Sequence, residues 1–218
     1  PQGDETIAVL ADEILQGLGR SPNAGGLALE NAGITISERG GWIATNAQQE
    51  TSAEQIYAAG DVCGPHPIVH IAIEQGEIAA HNAAVSLGFS PDHKRGIDYR
   101  LKILGIFTEP AVAMVGMTEA EAKEAGRSYQ TAKAPFNDHG KSMIHGSEYG
   151  FVKMIADSDT GEILGASVIG PEAVELIHEL VVAMHFRATT ADFLKIPHYH
   201  PTLSEIWLYP AEDLLISD

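Results

Sequence analysis

The chain has 218 residues, 44% of them hydrophobic, which is ample for a packed core. Thirteen Lys and Arg against 30 Asp and Glu leave a formal charge of −17, a surface that repels nucleic-acid phosphates and anionic lipid and so excludes nucleic acid as a partner. A single cysteine excludes an internal disulfide framework and fits a reducing, cytoplasmic setting, and no apolar run approaches the roughly 18 residues of a membrane span.

In chain order, ETIAVLADEILQGLGRSPN reads as a strand pair or one bent strand closed by the turn GLGRSPN. LALENAGI is a short helix ended by Gly33, GWIATNAQQE a strand and turn, and QIYAAGDV a buried-type strand ending at Gly60-Asp61. HPIVHIAIEQGEIAAHNAAVSLG carries Ile71, Ala72, Gln75, Ile78, Ala79, Asn82 and Ala83 at helical spacing and stops at Gly88. The polar stretch FSPDHKRGIDYR is the best domain boundary in the chain.

Beyond it, KILGIFTEPAVAMVG predicts two short strands about Pro110. TEAEAKEAG predicts a helix with a Thr118–Glu121 capping box and a terminal Gly126. FVKMIAD and ILGASVIG, joined through SDTGE, form a hairpin. PEAVELIHELVVAMHFRA is a helix starting on Pro171, with Val174, Ile177, Val181 and Met184 on one face. Antiparallel strands with helices on one side make the region from about residue 97 an α+β domain.

Two phosphate-loop look-alikes fail on spacing. HGKS at His139–Ser142 has Pro135 where a Walker loop needs glycine, and GLGRSP has proline where a dinucleotide fingerprint needs its third glycine. The ten histidines form no H-E-x-x-H or Cys/His cluster, and Cys63 reads as a small buried residue without a basic partner.

Two stretches carry more chemistry. In TSAEQIYAAGDV, small residues Ala58, Ala59 and Gly60 would let an elongated polyol or phosphate ligand approach the backbone, and Asp61 can accept a hydroxyl hydrogen bond; a capping aspartate is the alternative. In HYHPTLSE, Thr202 and Glu205 satisfy a helix capping box with Pro201 at the entry. That reading leaves His200 unexplained. A glutamate near the imidazole can bind one ring N–H, select the tautomer and raise the basicity of the other nitrogen, as a general base requires.

Together these stretches resemble the flavoprotein disulfide reductases, the class I pyridine nucleotide-disulfide oxidoreductases, and most closely their dihydrolipoyl dehydrogenase branch. ADEILQGLGRSPN is similar to the family's exit from its NAD domain, IYAAGDV to its second FAD motif, GMTEAEAKEAG and GFVKMI to its interface domain, and HYHPTLSE to its active-site signature. The resemblance implies that residues 1–20 end an NAD-binding domain, 21–96 form the last segment of an FAD-binding domain, and 97–218 form a dimerisation domain. The expected fold is therefore α+β, a dimerisation domain preceded by an incomplete α/β FAD/NAD-binding remnant.

The resemblance further implies that Asp61, beside Gly60, bonds the FAD ribityl chain, and that His70 and Ala72 lie at a helix start facing the flavin. It makes His200 the base and Glu205 its orienting partner, with His198 the weaker candidate. His200 would take a proton from a lipoyl-type dithiol so that the thiolate attacks a disulfide in the partner subunit of a homodimer, with electrons passing through FAD to NAD. The family's Gly-rich FAD loop, redox cysteine pair and complete NAD domain have no counterpart in these residues. The chain thus reads as the C-terminal part of such an enzyme, inactive alone and holding no cofactor stably. A non-catalytic dimerisation module and part of a glutathione reductase-type enzyme are the competing readings.

Overall fold

The computed structural model describes residues 8–38, 40–64 and 66–216. The chain divides into two compact units, Pro1–Ile97 and Asp98–Asp218.

The first unit is built on helix α1 (Val69–Ser86). Its inward stripe is Ile71, Gln75, Ile78 and Asn82, the 3.6-residue periodicity read in the sequence. The two polar members of that stripe tie down the surrounding loops. Gln75 Oε1 accepts from Gly60 N–H at 2.7 Å, and the Asn82 amide bonds Gln48 O at 2.9 Å and Arg95 O at 2.8 Å. A 3-10 turn at Leu29–Ala32 ends on Gly33, whose φ of 71° is the left-handed conformation glycine adopts without penalty.

The strands expected here do not form. Residues 8–20 are exposed without regular structure, and the start of the expected opening strand, up to residue 7, lies outside the described residues. GWIATNAQQE and QIYAAGDV contribute only the isolated bridges Ile36↔Ile43 and Glu50↔Tyr57 among the described residues. A strand needs a neighbour for its N–H and C=O groups. Here those groups turn to local loops instead, as in Ile43 N–H to Val62 O at 3.0 Å.

The second unit is an α+β domain. Its strands are β1 (Ile103–Ile106), β2 (Ala111–Gly116), β3 (Tyr129–Pro135), β4 (Phe151–Asp157) and β5 (Ile163–Gly170). They form one antiparallel sheet in the order β1-β2-β5-β4-β3. Register aligns one face: Ala113 sits opposite Val168, Val115 and Met154 opposite Ala166, and Ala134 opposite Val152. These residues are all buried in a single cluster, as the period of two requires when one face meets helices.

Helix α4 (Ala173–His185) covers that face with Ala173, Leu176, Ile177, Leu180, Ala183 and Met184. Its stripe is thus shifted from the expected one: Val174 and Val181 lie at its margin, only partly buried. The start differs too: Glu172, at φ 49°, is the N-cap, so the helix begins after Pro171 rather than on it. Trp207, fully buried, donates its indole N–H to Leu176 O of α4 at 3.1 Å, which fixes the segment before helix α6 (Leu208–Ile216) against the core.

Helix α2 (Glu119–Glu124) has the expected capping box. Thr118 Oγ1 accepts from Glu121 N–H at 3.2 Å, and Glu121 Oε2 accepts from Thr118 N–H at 2.8 Å. Strand β3, with alternating small and polar side chains and little bulk, was not anticipated. The short helices α3 (Gly140–His145) and α5 (Thr190–Phe193) complete the unit. No helix among the described residues is long and apolar enough to cross a membrane.

Candidate active site

The stretch HYHPTLSE enters a 3-10 turn at Ser204–Trp207, whose Ile206 and Trp207 are fully buried in the sheet–helix core. That anchor orients Glu205. The capping box expected between Thr202 and Glu205 is absent, because the N-cap is Leu203 and no side chain caps the turn. Instead the Glu205 carboxylate turns back to His200, whose Nδ1–H donates to Oε2 at 2.9 Å.

The two partners differ sharply in exposure, with the His200 side chain 80% exposed and that of Glu205 only 10%. A buried carboxylate accepting from Nδ1 holds the ring in the tautomer whose Nε2 is an acceptor, on the accessible side. The pair can take a proton from an incoming donor and stabilise the resulting imidazolium.

His198 is placed differently. Its side chain is 4% exposed, with Nε2 lying 2.6 Å from Glu179 Oε1 of α4 and Nδ1–H directed at Ile196 O, 2.9 Å away. The carbonyl can only accept, so the Nε2···Oε1 pair needs a second proton on one partner. Burial pushes the Glu179 carboxyl up, partly opposed by His198. This pair holds a loop to a helix and is closed to a substrate.

A third histidine, not singled out by the sequence, stands behind Glu205. His139 is fully buried at the start of α3, with Nε2 3.4 Å from Glu205 Oε1 and Nδ1 2.8 Å from Ser142 Oγ. Burial pushes its imidazole below the ordinary range, against a smaller opposing pull from Glu205. Sequence reading met this residue only inside HGKS, as a failed phosphate loop. Nothing local to that motif announces a partner on the turn ahead of α6.

In the first unit, Gly60 adopts φ 84°, and a Cβ there would meet Ala72 Cβ at 3.6 Å, so these two predicted residues are neighbours. Asp61 is half-exposed and ion-paired with Arg20 at 2.7 Å. His70 lies exposed in the first turn of α1. An accessible carboxylate beside a side-chain-free backbone position, next to the N-terminus of an 18-residue helix, fits one end of a hydroxyl-bearing, anionic cofactor such as FAD. Cys63 is buried, and desolvation pushes its thiol up to about 11, so it is no nucleophile at neutral pH. No cluster of metal-binding side chains occurs among the described residues.

Two family models match the chain: pyridine nucleotide-disulphide oxidoreductase over residues 2–86, and the dimerisation domain of the same oxidoreductases over residues 104–210. The chain belongs to the pyridine nucleotide-disulphide oxidoreductase family. Within it, the chain is 39% identical over 213 residues to a dihydrolipoyl dehydrogenase of Thermus scotoductus, covering 98% of this chain and 44% of that protein. It is 38% identical over 201 residues to the dihydrolipoyl dehydrogenase of Bacillus subtilis, covering 92% and 41%.

Among solved structures, it matches LpdA from Mycobacterium tuberculosis with a TM-score of 0.76 at 30% identity, covering 89% of this chain and 41% of that one. It also matches an HOCl-induced flavoprotein disulfide reductase from Escherichia coli with a TM-score of 0.74 at 27% identity, covering 89% and 43%. The chain therefore spans well under half the length of the relatives it matches. The second unit is the family's dimerisation fold.

Proposed function

We propose that this chain serves as the C-terminal part of an FAD-dependent, NAD-linked dithiol oxidoreductase of the dihydrolipoyl dehydrogenase type, working as a homodimer in a reducing cytoplasmic compartment. Residues 1–20 would close the NAD-binding domain, 21–96 the FAD-binding domain, and 97–218 would form the dimer interface. The observation that carries the reading is the contrast between an exposed His200 and the buried Glu205 to which it is bonded.

In this reading Nε2 of His200 accepts the proton from one thiol of a lipoyl-type substrate, and Glu205 holds the ring and balances the charge it gains. The thiolate so formed is the competent nucleophile for a disulfide on another chain. Gly60, Asp61, His70 and Ala72 hold the flavin end of FAD: Asp61 accepts a hydroxyl, Gly60 and Ala72 admit the close approach, and the start of α1 with His70 favours negative charge. FAD supplies the two-electron acceptor chemistry. The single, deeply protonated Cys63 fits a compartment without disulfide formation but cannot supply the redox pair.

The test is His200→Gln in the complete flavoenzyme. Dithiol oxidation should fall at least about 100-fold, the usual worth of a positioned base, while flavin absorbance is retained. Near-normal turnover would end the assignment. A dimerisation module without chemistry would show neither flavin colour nor dependence on His200.

A further inference from the structure

Glu205 has two carboxylate oxygens and two imidazoles around it, one exposed on Oε2 and one buried facing Oε1. A lone buried carboxylate bonded at one oxygen can rotate about its last torsion and release the base. The second oxygen therefore decides how firmly His200 is held. Among the described residues, the group facing Oε1 is His139 Nε2, 3.4 Å away and short of hydrogen-bond geometry, a buried ring nitrogen with no hydrogen-bond partner and this carboxylate oxygen in front of it.

The tautomer of His139 follows from its neighbours. A carboxylate only accepts, whereas a serine hydroxyl can donate or accept. If Nδ1 carried the hydrogen, a lone pair on Nε2 would point at a negative oxygen inside the core, a repulsive arrangement at low dielectric. With the hydrogen on Nε2, the ring offers N–H to Glu205 and Nδ1 accepts from Ser142 Oγ–H at 2.8 Å. The titratable groups around the ring are Glu205, His200 and, edge-on with ring centroids 5.9 Å apart, Tyr209 of α6. Phe136, buried just ahead of His139, locks the segment in place.

We propose that His139 is a positioning residue of the His200–Glu205 pair: as a neutral Nε2–H donor backed by Ser142, it holds the second carboxylate oxygen and thereby fixes the tautomer of His200. The proposal rests on the functional reading above but is tested apart from it, since the tautomers can be read without turnover. A neutral donor suits this place because it adds no charge to compete with the imidazolium when His200 gains its proton. Burial favours the uncharged form of the His139 ring.

Nitrogen-15 correlation spectra of the imidazoles in this chain at alkaline pH provide the test. His139 should show the Nε2–H tautomer and His200 the Nδ1–H tautomer. His139 as Nδ1–H, or as an imidazolium, would overturn the proposal, and this result needs no variant. In folded His139→Leu, His200 should lose most of its Nδ1–H population, whereas His139→Gln, which keeps an N–H donor, should retain it. A His200 tautomer unchanged in His139→Leu would reduce His139 to packing alone; where leucine prevents folding, the wild-type and glutamine spectra decide. If the tautomers stand while His200→Gln leaves turnover of the complete enzyme intact, the catalytic assignment fails and the positioning survives.

Discussion

Glu205 accepts from His200 Nδ1 at 2.9 Å while its other oxygen lies 3.4 Å from His139 Nε2, so one buried carboxylate joins an exposed imidazole to a core one. Its removal should be felt in stability as well as chemistry. Glu205→Ala leaves His139 Nε2 buried and facing a void, at a cost of about 1–3 kcal/mol. The drop is measurable as a lower urea midpoint, read by Trp207 fluorescence in a Trp42→Phe background. Glu205→Gln, which keeps an acceptor oxygen, should lose less.

Helix α2 carries an acid-sensitive lock. Burial acts to raise the Glu121 carboxyl, and bonds from Lys102 and Thr118 together outweigh it, holding it at about 2. A depressed carboxyl stabilises the fold above the unfolded value near 4.5, and that contribution disappears as pH falls from about 4.5 to about 2. Glu121→Gln should therefore be less stable than wild type at neutral pH, and the gap should close across that acidic window. Solvent around Glu121 keeps the effect below the full value of the shift.

Thr118→Ala removes the other half of the same capping box and should cost about 1 kcal/mol. That hydroxyl also donates to Glu121 Oε2 and helps hold the carboxyl down, so the loss should shrink at acidic pH without vanishing, because the bond from Glu121 N–H to Oγ1 does not titrate. Urea unfolding at two pH values separates it from the Glu121 effect.

Gly150 enters β4 at φ +88°, and a Cβ there would fall within van der Waals range of Ile169 O and C on the paired strand. Gly150→Ala combines backbone strain with a clash against main chain, which cannot rotate away. A destabilisation of at least about 2 kcal/mol is expected. A thermal melt within a degree of wild type would show that the β4–β5 edge can open.

Cys63 offers a chemical readout of the first unit. With its thiol pushed up to about 11 by burial, iodoacetamide at pH 8 should react roughly two orders of magnitude more slowly than with an ordinary thiol. Reactivity should recover in urea as the unit unfolds. Fast alkylation of the native chain would show that residues around Cys63 open readily.

Much of the second unit was legible because its signals are local. The Thr118–Glu121 box, the hairpin through SDTGE and the strands flanking Pro110 are each set by residues a few positions apart. Strand β3 escaped because its sequence, YQTAKAP, carries little apolar bulk; its pairing to β4 makes it a strand. In the first unit the reverse occurred. IYAAGDV reads as a buried strand, yet a strand exists only with a partner, and among the described residues this one has a single bridge.

The sequence by itself determined the family, through ordered motifs such as IYAAGDV and HYHPTLSE, and it pointed to His200 and Glu205, because residue spacing along one turn bounds what two side chains can reach. Only the tertiary structure decided what Glu205 does. Its local alternative, a capping box with Thr202, lost because Ile206 and Trp207 are drawn into the core and turn the carboxylate toward two imidazoles. His139 joins that group from a distant segment, brought there by the packing of Phe136 and Trp207 in one core. A contact made by burial between remote segments leaves no mark in the spacing of either one.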